Sequence, residues 1–110
     1  LPGPYRAIGK IAEFARLHLS ERVSVGDIAR ESGMSVATLE RRFKKHFQLS
    51  PSAFLSQLRV SRACELLRDT PLNITEIALE CGYDSPAAFS RAFRRETKQS
   101  PRGYREASRS

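Results

Sequence analysis

Apolar residues recur at helical spacing along almost the whole chain. Ile8, Ile11, Ala12, Ala15 and Leu19 fall on one stripe, which predicts an amphipathic first helix from Tyr5 to Leu19. Residues 1–4, with two prolines and a glycine, read as the end of a linker. Ser24 followed by Asp27 is a capping-box pattern that starts a second helix running to about Glu31, and Gly33 ends it. Ser35 caps a third helix over 36–46, in which Leu39 and Phe43 share the inward face. Ser50 and Pro51 open a fourth helix to about Arg68, with Phe54, Leu58, Ala63, Leu66 and Leu67 as core candidates. Asp69, Thr70 and Pro71 stop it. Asn73 and Glu76 form a second capping box ahead of a fifth helix that ends at Glu80, before Gly82. Ser85 and Pro86 open a sixth helix to about Lys98, and Ser100 and Pro101 a short seventh. The polar tail from Ala107 is expected to fray. No window alternates with period two, so the predicted fold is all-α, with about seven helices and no strands.

The pattern contains a repeat. Residues 27–54 read DIARESGMSVATLERRFKKHFQLSPSAF and residues 76–104 read EIALECGYDSPAAFSRAFRRETKQSPRGY. Asp27, Ile28, Ala29 and Gly33 match Glu76, Ile77, Ala78 and Gly82. After one extra residue, Asp84, the match resumes with Ser35, Leu39, Arg41 and Phe43 against Ser85, Phe89, Arg91 and Phe93. The Ser50-Pro51 and Ser100-Pro101 pairs then coincide as well. Caps, apolar positions and basic positions recur together, so one supersecondary unit is used twice.

Each copy is a short helix, a glycine turn and a basic second helix, which is the arrangement of a helix-turn-helix. Ile28 and Ala29 can pack on Leu39 and Phe43, and Ile77 and Ala78 on Phe89 and Phe93. Gly33 and Gly82 are expected at positive φ in the turns, where other residue types are strained. The predicted organisation is a first subdomain over 5–50, a linker helix over 51–70 and a second subdomain over 71–107.

Charge gives this scaffold a partner. The net charge is +7, which favours an anionic ligand such as nucleic acid or an acidic membrane surface. Eight basic side chains fall on the third and sixth helices: Arg41, Arg42, Lys44, Lys45, Arg91, Arg94, Arg95 and Lys98; only Glu40 and Glu96 oppose them. Clustering of this kind is the footprint of phosphate binding. Ser85, at the start of the sixth helix, is a further phosphate candidate because backbone N–H groups point outward there. A fourth helix of about 18 residues is roughly 27 Å long. With packing thickness at each end, this approaches the ~34 Å between successive major-groove segments. One monomer could therefore fill two segments of an asymmetric double-stranded DNA site.

The second copy, NITEIALECGYDSPAAFSRAFRRETKQSPRGYR, and the stretch LRVSRACELL resemble the DNA-binding domain of the AraC/XylS family of bacterial transcription regulators, over about residues 5–107. The resemblance implies two helix-turn-helix units joined by a long helix, and transcription activation, with RNA polymerase as a further partner. It places base-facing positions at Ala37, Glu40 and Arg41, and at Ala87, Ala88 and Arg91, with Ser90 added to the second set. Ala87 and Ala88 have no hydrogen-bonding side chains, so the first unit is expected to carry most of the sequence information and the second to anchor.

Other functions find less support. Cys64 and Cys81 have no metal-ligand spacing and sit among apolar neighbours, which reads as buried, reduced thiols in a cytoplasmic protein. His18 and His46 have no catalytic partner in the sequence; His18 suits the end of the first helix. No cofactor, metal or catalytic group is expected. An RNA- or protein-interaction module is the alternative class, but RNA readers offer exposed aromatics for stacking, whereas Phe43, Phe47, Phe54, Phe89 and Phe93 stand at core spacing. No apolar run approaches the ~18 residues of a membrane span, and no signal peptide is visible. The leading Leu and the Pro/Gly entry suggest the output domain of a longer sensor-regulator, expected to be monomeric by itself; the alternative is a complete small regulator.

Overall fold

The computed structural model describes residues 3–109, with side chains from Ala7 onward. Among the described residues there are seven α-helices: α1 (Gly3–Leu17), α2 (Val25–Ser32), α3 (Val36–Phe47), α4 (Pro51–Asp69), α5 (Ile74–Glu80), α6 (Pro86–Thr97) and α7 (Pro101–Arg109). A 3-10 turn, Leu19–Glu21, follows α1. No strand occurs among the described residues. The chain divides into two compact units, one ending at Leu55 and one starting at Ser56.

In the first unit α1 packs on α2, and α2 on α3. The buried residues include those the periodicity selects, Ile8, Ile11, Ala15, Leu19, Ile28, Ala29, Leu39 and Phe43, together with Val23 and with Leu55 from the start of α4. Phe43 meets Phe47 and Phe54 edge-on, at ring-centroid distances of 5.5 and 5.4 Å. Such pairs add to the area that the rings bury. The Ser24 box is complete: Asp27 N–H donates to Ser24 Oγ at 3.0 Å and Ser24 N–H to the Asp27 carboxylate at 2.9 Å. The Ser24 N–H, then the Ser24 hydroxyl and Arg30, hold the Asp27 carboxyl below its ordinary pKa.

The second unit repeats the construction around Val60, Ala63, Leu66, Leu67, Ile77, Ala78, Cys81, Phe89 and Phe93. Tyr83, Phe89, Phe93 and Tyr104 form a continuous aromatic row with centroid separations of 5.2, 5.7 and 5.6 Å. The Phe93–Tyr104 pair matches Phe43–Phe54 in distance and in edge-on angle. The first turns of α4 thus do for unit one what α7 does for unit two. The Asn73–Glu76 box is also complete, with bonds of 2.8 and 2.9 Å.

Both glycine turns close the same way. Gly33 has φ 68 and Gly82 φ 88. The residue after each reaches back to the small alanine of the preceding helix: Met34 N–H to Ala29 O and Tyr83 N–H to Ala78 O, both at 2.9 Å. This six-residue closure requires a left-handed residue just before its donor, which glycine supplies without a Cβ penalty.

Several boundaries differ from the sequence reading. α1 begins at Gly3 and includes Pro4, because proline is compatible with a first helical turn; of the predicted linker end, residues 1 and 2 lie outside the described residues. α1 stops at Leu17, and Leu19 is buried from the 3-10 turn instead. α6 stops at Thr97, and Lys98 (φ 64) closes it. α7 runs through Ala107 to Arg109 without fraying there, since Arg109 Nη2 donates to Thr70 O and Ser108 Oγ to Tyr104 O. Within α4, Phe54 and Leu58 are only half-buried, whereas Leu55 and Val60 are buried. Ala12 and Cys64 are likewise half-buried; Cys81 is fully enclosed, and burial pushes its thiol up to about 12.

Candidate nucleic-acid interface

The two second helices, α3 and α6, have the same internal design. Ser35 and Ser85 take extended backbone conformations, and their Oγ atoms accept the N–H of Thr38 and of Ala88, each at 3.1 Å. Leu39 and Phe43 in α3, and Phe89 and Phe93 in α6, are completely buried. That orientation leaves the rest of each helix outward. Gln48 (φ 56) and Lys98 (φ 64) end the helices as left-handed non-glycine residues, with Gln48 N–H on Lys44 O and Lys98 N–H on Arg94 O.

The first turns carry an electrostatic distinction. The supporting helices α2 and α5 hold an acid there, Asp27 and Glu76. The outward-facing helices α3 and α6 hold none and are capped by hydroxyls. Their N-terminal N–H groups therefore present an unopposed positive dipole end, where a carboxylate would repel phosphate. The Ser85 hydroxyl uses its lone pair on Ala88 N–H, so its proton remains available to an anion.

Of the sequence candidates, Ala37, Glu40, Arg41, Arg42, Lys44 and Lys45 are exposed on α3. On α6, Ala87, Arg91, Arg94 and Arg95 are exposed, while Ser85, Ala88 and Ser90 are half-buried. Lys98 is exposed beyond the end of α6, with its Nζ donating to Arg95 O at 3.1 Å. Arg95 Nε stands 3.9 Å from Glu96, a loose ion pair. Among the described residues, Arg42, Lys44, Lys45, Arg91 and Arg94 enter no ion pair. Cations left unpaired on the same helices whose N-termini are free of acid are suited to a polyanion. No group of three or more potential metal ligands occurs among the described residues, and no helix is long and apolar enough to cross a membrane.

One contact was missed by the sequence reading. Arg41 Nη2 donates to Thr38 Oγ1 at 3.3 Å, and Ser35 Oγ–H donates to the same oxygen at 3.0 Å. The signal was the spacing of three in Ser35, Thr38 and Arg41, which sets the side chains one above another on a helix.

The comparisons agree with this construction. The family model described as a helix-turn-helix domain matches residues 13–107. The HTH-type transcriptional activator RhaS of Enterobacter sp. (strain 638) is 40% identical over 89 residues, which are 81% of this chain and 32% of that protein. This chain thus spans less than half the length of that relative. An AraC-type DNA-binding-domain regulator from Chromobacterium violaceum has a TM-score of 0.86 at 32% identity, covering 94% of this chain and 93% of that one. The DNA-binding domain of AdpA, solved in complex with a target DNA, also has a TM-score of 0.86, at 35% identity, covering 92% and 91%. The chain belongs to the AraC/XylS family of helix-turn-helix DNA-binding domains.

Proposed function

We propose that this chain is the sequence-specific, double-stranded-DNA-binding part of a longer cytoplasmic transcription regulator, an activator, and that it acts by binding rather than by catalysis. The carrying observation is the paired design of α3 and α6: a buried apolar face, an acid-free first turn and unpaired outward cations, made twice. On this proposal residues 5–50 and 71–107 are the two DNA-binding subdomains, and 51–70 the helix that joins them. Each outward helix enters one major-groove segment, and the two segments differ in sequence because the helices do.

The roles divide by position. Ala37, Glu40 and Arg41 meet bases in one segment; Ala87, Ala88, Ser90 and Arg91 face the other. Arg42, Lys44, Lys45, Ser85, Arg94, Arg95 and Lys98 meet phosphates. Arg41 and Arg91 can each take a guanine O6/N7 edge, and Glu40 can accept from a cytosine amino group. The alanines offer only methyl contact. Most sequence information is therefore assigned to the first unit, and α6 supplies anchoring with modest preference from Arg91 and DNA shape.

Selection of binding sites from random duplexes, followed by salt titration, tests this. The expected result is an asymmetric consensus, more restrictive under α3. With six to eight phosphate contacts, log affinity should fall against log salt with a slope of about −5 to −7. A slope near −1, or a selection that returns no consensus, refutes it.

A further inference from the structure

Within that assignment of Arg41 to a base edge, we propose that Thr38 is the positioning residue that makes Arg41 selective, and that α6 has no counterpart to it. Arg41 is an exposed arginine with several freely rotating side-chain bonds, so a free guanidinium would sample phosphates and bases alike. Here it is tied. Thr38 N–H donates to Ser35 Oγ at 3.1 Å, and Ser35 Oγ–H returns to Thr38 Oγ1 at 3.0 Å. This reciprocal pair fixes the threonine rotamer, which its β-branching already restricts. Thr38 Oγ1 then accepts Arg41 Nη2–H at 3.3 Å.

The direction of the tie has a consequence. It draws the guanidinium back toward the helix N-terminus, the end whose residues reach base edges in helix-turn-helix docking. It occupies a single N–H, leaving the Nε proton, another Nη2 proton and both Nη1 protons. Two parallel donors thus remain for a guanine O6/N7 edge, while one of the paths by which the group could swing onto a phosphate is restrained. In α6 the aligned residues are Ser85, Ala88 and Arg91. The serine and the arginine are kept, but Ala88 has no oxygen, so Arg91 has no such tether. The two units therefore differ in the preorganisation of the same arginine as well as in its neighbours.

The test uses this chain and its selected duplex, with the G·C pair assigned to Arg41 replaced by A·T, and reads the ratio of the two affinities. Thr38→Val removes the oxygen and keeps the branched shape; Thr38→Ser keeps the oxygen. Loss of preorganisation of one long side chain predicts that Thr38→Val lowers the ratio about 2- to 12-fold, with unchanged melting temperature and salt slope, and that Thr38→Ser restores it. Arg41→Ala should abolish the ratio. If Arg41→Ala abolishes it but Thr38→Val leaves it intact, the positioning role fails and the base assignment of Arg41 stands. If Arg41→Ala leaves it intact, the base assignment itself fails, and the positioning role with it. Weakening of both duplexes equally by Thr38→Val, or loss in both Thr38 variants, overturns the proposal in favour of a phosphate or packing role.

Discussion

The outward helices of the two units, α3 and α6, share most of the features that set a helix in place and differ in the features that would read a sequence. Both have a serine cap, a preceding left-handed glycine, two large apolar residues at zero exposure and a left-handed closing residue. Their outward faces diverge: half-buried Thr38 and exposed Glu40 on one, half-buried Ala88 and Ser90 on the other. Holding a helix at a fixed angle depends on a few buried contacts that admit little variation, because interiors are close-packed. Exposed positions carry no such constraint, so a duplicated unit can keep its scaffold while its face changes. The comparison teaches that the two units should respond alike to scaffold changes and unlike to surface changes.

Scaffold changes should have the largest effects. Phe43→Ala and Phe93→Ala are each expected to cost about 3–5 kcal/mol. Cys81 offers a readout for the second unit, since its buried, protonated thiol should alkylate only on opening, after Cys64. Phe93→Ala should speed Cys81 alkylation more than Phe43→Ala does; equal acceleration would break the picture of separate cores. Next come the turns. Gly33→Val and Gly82→Val should each lose about 1–2 kcal/mol or more from strain at positive φ, and thermal melting that distinguishes the two would show that the turns are not equivalent.

Surface changes should separate the units. Arg41→Ala is expected to cost about 1–3 kcal/mol at the cognate site and to relax one base pair, measured by fluorescence anisotropy on single-pair variants of the duplex. Arg91→Ala should cost less and relax less. The closing residues sharpen this contrast. Gln48→Gly and Lys98→Gly both relieve a left-handed non-glycine residue and should stabilise by about 1 kcal/mol. Lys98→Gly should also reduce the salt slope by about 1, whereas Gln48→Gly should leave it alone. The smallest effect is on pH. Because the Asp27 pKa is lowered by folding, its contribution to stability is present above the unfolded carboxylate value and disappears as pH falls through the folded one. Asp27→Asn should therefore be less stable than the parent near neutrality and converge with it in acid, as followed by denaturant titration at several pH values.

Much of this architecture was legible in local sequence, because its determinants are local. Helix starts depend on a cap and a residue three positions on, as in Ser24 with Asp27 and Asn73 with Glu76. Helix faces depend on spacing, as in Leu39 with Phe43 and Phe89 with Phe93. The exposed cations of α3 and α6 were legible for the same reason: once the inward pair is known, the outward residues follow. The end of α6 was legible to within one residue: Lys98, taken as its last position, is the left-handed residue that closes it. The core face of α4 was legible only in its second half: Ala63, Leu66 and Leu67 are buried as expected, whereas Leu55 and Val60 are buried and Phe54 and Leu58 half-buried. That helix contributes its first turns to one unit and the remainder to the other, so no single stripe describes it.

The sequence by itself determined the helix inventory, the doubling of the unit, the glycine turns and the basic faces, since each is encoded within a few consecutive residues. Tertiary structure alone decided the contacts that join distant stretches. Arg105 Nε reaches Leu67 O at 2.9 Å and its Nη2 reaches Thr70 O at 3.2 Å, satisfying carbonyls that the end of α4 leaves unpaired. Nothing near Arg105 in sequence marks it for that role, because the acceptors are backbone atoms that every residue possesses. Only the packing of α7 in the second unit brings this arginine to them.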